Sequence, residues 1–189
     1  MPRKIPCVGF SISGRICAAD HMSMLTSMVR FIKMSGWGII VPLQTTGEKH
    51  IARMCRRHGV FCVGLFTDKF CSPEFRGSLA HEVDEYTPEQ RAEVSRLYNS
   101  IGKQFQWDMM PVSRRNLLAS TVVLAQHSRL IAVWPESTET AVAAAVAGGR
   151  RLPVYYLPRA APMLMSEIGK FHSTTESITQ PTRIIRVGK

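Results

Sequence analysis

The sequence lacks the features that define several large classes of proteins. Its 189 residues contain no apolar run near the roughly 20 residues that a membrane-spanning helix needs. The apolar stretch near the N-terminus is short and is broken by Ser11, Ser13 and Arg15, which makes a poor signal peptide. The five cysteines are odd in number, and no two are spaced as C-x-x-C, so neither a disulfide framework nor a zinc knuckle is expected. These absences predict a cytoplasmic protein without membrane contact.

Common catalytic and cofactor motifs are missing as well. There is no G-x-S-x-G nucleophile elbow, no Walker A lysine motif and no H-x-x-x-H pair among the six histidines, so no metal site is predicted. The segment from Gly9 to Gly14 resembles G-x-G-x-x-G, but Ser11 occupies the place of the middle glycine. The predicted second strand ends at Gln44 without the acid that binds a ribose diol. A nicotinamide dehydrogenase is therefore not favoured, and no cofactor is predicted.

Acidic residues are few and unevenly spread. The chain has 24 Lys and Arg against 14 Asp and Glu, a formal charge of +10. Residues 1–67 carry +7, residues 68–108 carry −3 and residues 109–189 carry +6. A basic surface attracts phosphate-bearing partners by Coulomb attraction and counterion release. The charge favours a nucleic-acid or nucleotide partner, although a basic protein without such a partner would have the same composition.

Apolar segments alternate between strand-like runs and helix-like periodicity. The predicted strands cover residues 5–11, 37–43, 60–66, 129–134 and 152–157, and the predicted helices begin near Met22, Thr46, Thr87, Ser113 and Thr138. Strands separated by helices pair in parallel through right-handed crossovers. We therefore predict an open, mainly parallel α/β sheet with helices on both faces, a Rossmann-like three-layer sandwich. The domain is expected to span residues 1–159. Residues 160–189 are expected to form a basic extension that ends either in an edge strand at 184–187 or in a mobile segment.

Ligands of open parallel sheets bind beyond the carboxyl ends of the strands, near the reversal of strand order. This rule selects four loops: 11–15, 44–47, 67–70 and 135–140. Small hydroxyl and glycine residues in these loops let backbone N–H groups and helix N-termini approach an anion. Helix capping by Ser137 or Thr138 is the structural alternative.

Two segments could carry charge-based chemistry. Glu136 and Glu139 could stabilise a helix dipole, bind a ribose hydroxyl, or act as acid or base on an N-glycosidic bond. The second segment places Arg114 and Arg115 at a helix start, where cations oppose the dipole and an anion would compensate them. A phosphate contact at this helix start is the preferred interpretation, and a solvated basic turn is the alternative.

The order of these segments resembles the Rossmann-like domain of the DNA-processing protein A (Smf) family, within the wider group that includes the LOG nucleotide hydrolases. Residues 36–52 resemble the family's hydrophobic strand followed by G-I-D-x-x-A-H, and residues 58–65 resemble G-G-x-T-I-A-V-L. Residues 111–119 resemble P-x-R-N-R-I-I-A, residues 131–141 resemble V-V-V-V-E-A…S-G-S-L-x-T-A, and residues 149–158 resemble G-R-x-V-F-A-V-P-G. The hydrolase signature P-G-G-x-G-T-x-x-E is absent, because Pro135 is followed by Glu136 and Ser137.

The resemblance implies a module that binds single-stranded DNA or a phosphorylated nucleotide along a basic groove, forms a homodimer and assists a recombinase-type partner. It also implies that phosphate is contacted by Arg15, Arg114, Arg115 and Asn116, and that the pocket is lined by Ser11, Ser13, Gly14, Arg15, Thr45, Thr46, Gly47, Ser137, Thr138 and Thr140. The aromatic residues that could stack on bases are Phe70, Trp107 and Trp134. Two alternatives stay open. One is a nucleotide N-glycosidase in which Glu136 or Glu139 acts as catalyst, and the other is a sensor of a nucleotide signal.

Overall fold

The computed structural model describes six stretches of the chain: residues 5–12, 19–66, 79–80, 88–100, 112–134 and 138–172. The strands are β1 (Cys7–Ile12), β2 (Gly38–Pro42), β3 (Cys62–Phe66), β4 (Leu79–Ala80), β5 (Leu130–Trp134) and β6 (Val154–Tyr156). The helices are α1 (Ala19–Met34), α2 (Thr46–His58), α3 (Pro88–Ser100), α4 (Val112–His127), α5 (Thr138–Gly149) and α6 (Ala161–His172). Within these stretches, no helix has the length and apolar character needed to cross a lipid bilayer.

The six strands form one sheet in the order β4-β3-β2-β1-β5-β6, and every neighbouring pair is parallel. The chain runs outward from β1 to β4, and β5 then pairs with the opposite side of β1. Gly9 in β1 accordingly pairs with Ile40 of β2 on one side and with Ile131 of β5 on the other. The predicted fold class is confirmed, and the strand order reverses between β1 and β5.

Apolar side chains fill both sides of the sheet. On one face, β1 residues such as Phe10 pack with α1, α2 and α6, represented by Leu25, Ile51 and Leu164. On the other face, Ile131 and its neighbours pack with α4 and α5. Every residue of β1, β2 and β5 is buried, which explains why these strands are apolar runs rather than alternating patterns. The result is the predicted three-layer sandwich.

Gly9 has a packing role. A Cβ at this position would lie 2.5 Å from the Ser128 Oγ and 2.7 Å from the Ile131 Cδ1. The absence of a side chain therefore lets β1 approach the end of α4 closely. The first glycine of the partial G-x-G-x-x-G pattern is accounted for by contact between the sheet and a helix.

Some elements differ from the sequence prediction. Residues 161–172 of the expected basic extension form α6, and Leu164 and Ile168 belong to the core of the domain. The domain therefore extends beyond the predicted boundary at residue 159. The short strand β4 was not predicted. The edge strand predicted at 184–187 lies outside the described residues.

Candidate functional site

The carboxyl edge of the sheet is where β1, β2 and β5 end and where α2, α4 and α5 begin. Helix α1, which follows β1 along the chain, begins at the same edge. Helices α2 and α5 begin within four residues of the ends of β2 and β5. Helix α4 ends at His127, three residues before β5 begins, so it runs back along the sheet and its start lies at the carboxyl edge. The strand order reverses at the same place. This is the position at which open parallel sheets bind ligands.

Thr45 links the start of α2 to the end of β1. Its Oγ1 donates a 2.6 Å hydrogen bond to the Ile12 carbonyl oxygen and accepts a 3.1 Å bond from the Glu48 N–H. Its backbone is extended, with φ −99° and ψ 162°, as an N-cap residue requires. The Thr45 hydroxyl therefore fixes the position of the α2 N-terminus relative to the end of β1.

Glu48 completes this arrangement. Its Oε2 accepts hydrogen bonds from the Thr45 N–H at 3.0 Å and the Gln44 N–H at 3.1 Å, which with the Thr45 side chain forms a capping box. The residue is 4% exposed. Burial raises the pKa of this carboxyl to about 8, against the opposing effect of backbone hydrogen bonds from Thr45, Gln44 and Ile12. The acid of α2 is thus mostly neutral at pH 7, and it adds little negative charge to the carboxyl edge.

The predicted pocket and phosphate residues differ in exposure and in the element that carries them. Ser11 and Thr140 are buried, at 2% and 1% exposure, whereas Thr46 is exposed beside the buried Gly47. The backbones of Arg114, Arg115 and Asn116 lie in the first half of α4, and those of Thr138, Glu139 and Thr140 open α5. The fold therefore brings 45–47, 114–116 and 138–140 to one edge. The predictions outside the described residues are Ser13, Gly14, Arg15, Glu136 and Ser137.

Trp134, one of the predicted base-stacking aromatics, lies at the end of β5. It is 3% exposed, and its ring packs edge-on against His21 of α1, with ring centroids 4.7 Å apart and an interplanar angle of 68°. The ring is used in the core, so it offers no face to a nucleobase. The other two aromatics considered, Phe70 and Trp107, lie outside the described residues.

Two buried thiols, Cys7 and Cys55, are poorly suited to nucleophilic chemistry. Burial raises the pKa of Cys7 to about 12, and a hydrogen bond with Cys62, together with burial, raises the pKa of Cys55. Both therefore remain protonated at neutral pH. Among the residues that the structure describes, no group of three or more His, Cys, Asp and Glu side chains could hold a metal ion.

Glu48 is the site residue that sequence reasoning missed. The signal was present, because Thr45-x-x-Glu48 is a capping-box pattern that begins six residues before the helical apolar series of Ile51, Met54 and Cys55. The pattern predicts the cap but not its contact with β1. That contact comes from the parallel pairing of β1 and β2, which places the two strand ends side by side.

No protein-family model matches the chain, and no curated protein matches its sequence. Among solved structures, it is similar to the molybdenum cofactor carrier protein MCP of Chlamydomonas reinhardtii, with 10% identity and a TM-score of 0.57 over 90% of this chain and 99% of that one. A second structure of the Moco carrier protein from the same organism has a TM-score of 0.49 at 13% identity, covering 88% and 85% of the two chains. The protein TM1055 also has a TM-score of 0.49, at 14% identity, covering 82% and 76%. The similarity to the first structure covers nearly the whole length of both chains. At this identity it shows the fold alone.

Proposed function

We propose that the protein is a binding module for single-stranded DNA or a phosphorylated nucleotide, with the phosphate held at the carboxyl edge of the sheet. The observation that supports this proposal is that α2, α4 and α5 all begin at the carboxyl edge, where the strand order reverses between β1 and β5. Each helix N-terminus carries a partial positive charge and directs N–H groups outward. Helix N-termini that share this edge favour an anionic ligand.

The electrostatics of the edge support the same ligand class. Arg114 and Arg115 stand in the first turn of α4, which holds no acidic residue. Cations at a helix start oppose the dipole, so a phosphate that contacts both the helix start and the two arginines would offset this repulsion. Glu48 does not compete with the phosphate, because its carboxyl is buried and mostly protonated at pH 7.

The test is fluorescence anisotropy with a labelled dT oligonucleotide over a salt series, with nucleoside monophosphates as competitors. Single-strand binding loses affinity with salt by about 0.7 log units per neutralised phosphate for each tenfold rise in salt. Arg114→Ala/Arg115→Ala should therefore flatten the slope by about 1.4. The matched control is Arg129→Ala/Arg150→Ala, which removes two exposed arginines at the ends of α4 and α5 away from this edge.

Monophosphates that displace the oligonucleotide and raise the melting temperature of the protein would identify the nucleotide as the ligand. Tight binding that monophosphates do not displace would favour the polymer. A protein that binds neither probe, or an α4 variant with the wild-type salt slope, would refute the carboxyl-edge proposal.

The enzymatic alternative has its own assay. Release of free base from a nucleoside monophosphate, abolished in Glu139→Gln or Glu136→Gln, would establish an N-glycosidase. The absence of release across the common monophosphates would leave the binding module. The homodimer and the recombinase-type partner are further parts of the proposal, and sedimentation of the protein alone and with a recombinase would test them.

A further inference from the structure

Helix α2 has a second charged surface that the carboxyl edge does not explain. Its buried side faces the sheet with residues such as Ile51, Met54 and Cys55. The opposite arc holds Lys49, His50, Arg53, Arg56 and Arg57, which fall within about a third of a turn at 100° per residue. The three arginines are exposed, and Lys49 and His50 are half-buried. The acid of this helix, Glu48, is buried on the other side. We call these five residues the α2 arc.

Helix α1 adds positive charge beside the α2 arc. The Lys33 Nζ donates a 2.7 Å hydrogen bond to the His58 carbonyl oxygen at the end of α2. Arg30, one turn earlier on α1, is also exposed. The acid of α1, Asp20, lies in its first turn, at the other end of the helix. Basic residues of two adjacent helices therefore meet at one end of this surface.

The helix dipole accounts for only part of this charge. Arg56, Arg57 and His58 occupy the last turn of α2, where cations are stabilising. Lys49 lies in the first turn and Arg53 in the middle, where a cation gains nothing from the dipole or opposes it. The helix dipole therefore does not explain why Lys49 and Arg53 share one arc with Arg56 and Arg57.

The pKa of His50 is affected by the positive charges of this arc. Its pKa is lowered by partial burial and by the charges of Arg53 and Arg57. These residues stand at spacings of three and seven from His50, so all three share one side of α2. Two guanidinium groups close enough to repel an imidazolium are also placed to act together on one polyanion.

We propose that the α2 arc binds the phosphate backbone of duplex nucleic acid without reading its sequence. The arc extends over about 12 Å between Lys49 and Arg57, a length over which duplex DNA carries about seven phosphate charges. No Phe, Tyr or Trp occurs in α2, so the arc has no platform on which the bases of a single strand could stack. High charge density without stacking favours the duplex. The α2 arc begins two residues after Gly47 and runs away from the carboxyl edge to the other end of α2. The proposal does not depend on a ligand at the carboxyl edge.

The experiment uses the full chain and a labelled duplex of about 20 base pairs, titrated between about 50 and 200 mM salt. Arg53→Gln/Arg57→Gln should reduce the steepness of the salt dependence by about 1.8 log units per tenfold change in salt. The matched control is Arg129→Gln/Arg150→Gln, which removes the same charge from exposed positions at the other face and should leave the slope unchanged. Thermal melting of both variants checks that the fold is retained.

A second readout follows the His50 imidazole by NMR. Phosphates bound at Arg53 and Arg57 would cancel the repulsion that these residues exert, so the duplex should raise the pKa of His50. The same duplex should leave the pKa of His50 unchanged in Arg53→Gln/Arg57→Gln. A raised pKa in the wild type reports phosphate beside His50 directly, which a loosened helix in the variant could not imitate.

Duplex binding with a slope that falls only in the Arg53/Arg57 variant would support the proposal. A wild-type protein that ignores the duplex, or equal slopes in both variants, would overturn it. Anionic phosphatidylserine vesicles that bind while the duplex does not would overturn it in favour of a membrane surface. The carboxyl-edge proposal can be told apart, because a mononucleotide that stabilises the protein without duplex binding would refute only the α2 arc.

Discussion

The buried carboxyl of Glu48 makes the stability of this fold depend on pH in an unusual direction. An acid whose folded pKa is about 8, against an ordinary 4.5, binds its proton more tightly in the folded state. At about 1.4 kcal/mol per pKa unit, the difference amounts to about 5 kcal/mol. The contribution to the free energy of unfolding is complete below pH 4.5, declines as pH rises, and is lost once pH passes the folded pKa.

Two effects on the pKa oppose each other at this carboxyl, and a comparison with glutamine at position 48 decides which of them is larger. Removal from water favours the neutral acid, whereas the N–H groups of Thr45 and Gln44 favour the carboxylate. Glu48→Gln keeps an oxygen that accepts these two bonds but cannot ionise. Because both proteins share every other titrating group, the difference between them isolates Glu48.

The assay is urea unfolding of both proteins from about pH 5 to pH 8, at an unchanged m-value. The wild type should lose about 4 kcal/mol relative to Glu48→Gln over this range. The matched control is Asp20→Asn, which removes an exposed carboxyl from the first turn of α1 and should run parallel to the wild type. Parallel curves for Glu48→Gln and the wild type would show that the backbone hydrogen bonds outweigh burial, and would refute the reasoning.

Two further predictions concern packing. Gly9→Ala should lower the free energy of unfolding by about 1–3 kcal/mol, since the new methyl group would crowd Ser128 and Ile131. Adding Ser128→Ala should recover part of this loss, and strictly additive effects of the two substitutions in urea unfolding would contradict the contact. Leu164→Ala should lower the free energy of unfolding in urea by about 2–5 kcal/mol because Leu164 is fully buried. Met163→Ala, at a position 67% exposed on the same helix, should change this free energy little, and equal effects of the two substitutions would mean that α6 does not pack on the sheet.

Burial on both sides made the sheet predictable from local patterns. The residues of β1, β2 and β5 are all apolar or small and all buried, so each strand appears as a run that neighbouring helices interrupt. Helix α2 was equally clear, because Gly59 takes the left-handed conformation, φ +63°, that ends a helix. In both cases the physical cause of the structure lies within a few residues of sequence.

Helix α6 was missed for the opposite reason. Pro158 and Pro162 flank its start and predict an interruption, while its apolar positions Leu164 and Ile168 lie in a stretch of otherwise mixed character. The helix is stabilised by its packing against α1 and β6 in the core. Proline is well tolerated in the first turn of a helix, so Pro162 begins this element rather than breaking it.

The candidate site shows the same division between local and distant causes. The hydroxyl at Thr45 was predicted from its place after a strand, but its hydrogen bond to β1 joins residues more than 30 positions apart in the chain.

The net charge shows the same division between local and distant causes. A charge of +10 predicts a polyanion without locating it. The fold separates the basic residues into the start of α4 at the carboxyl edge and the α2 arc on the opposite helical layer. Because these surfaces are carried by different layers, a ligand of one need not exclude a ligand of the other, and a single affinity for nucleic acid would not distinguish them. The paired variants do distinguish them, since each removes two charges from one layer only.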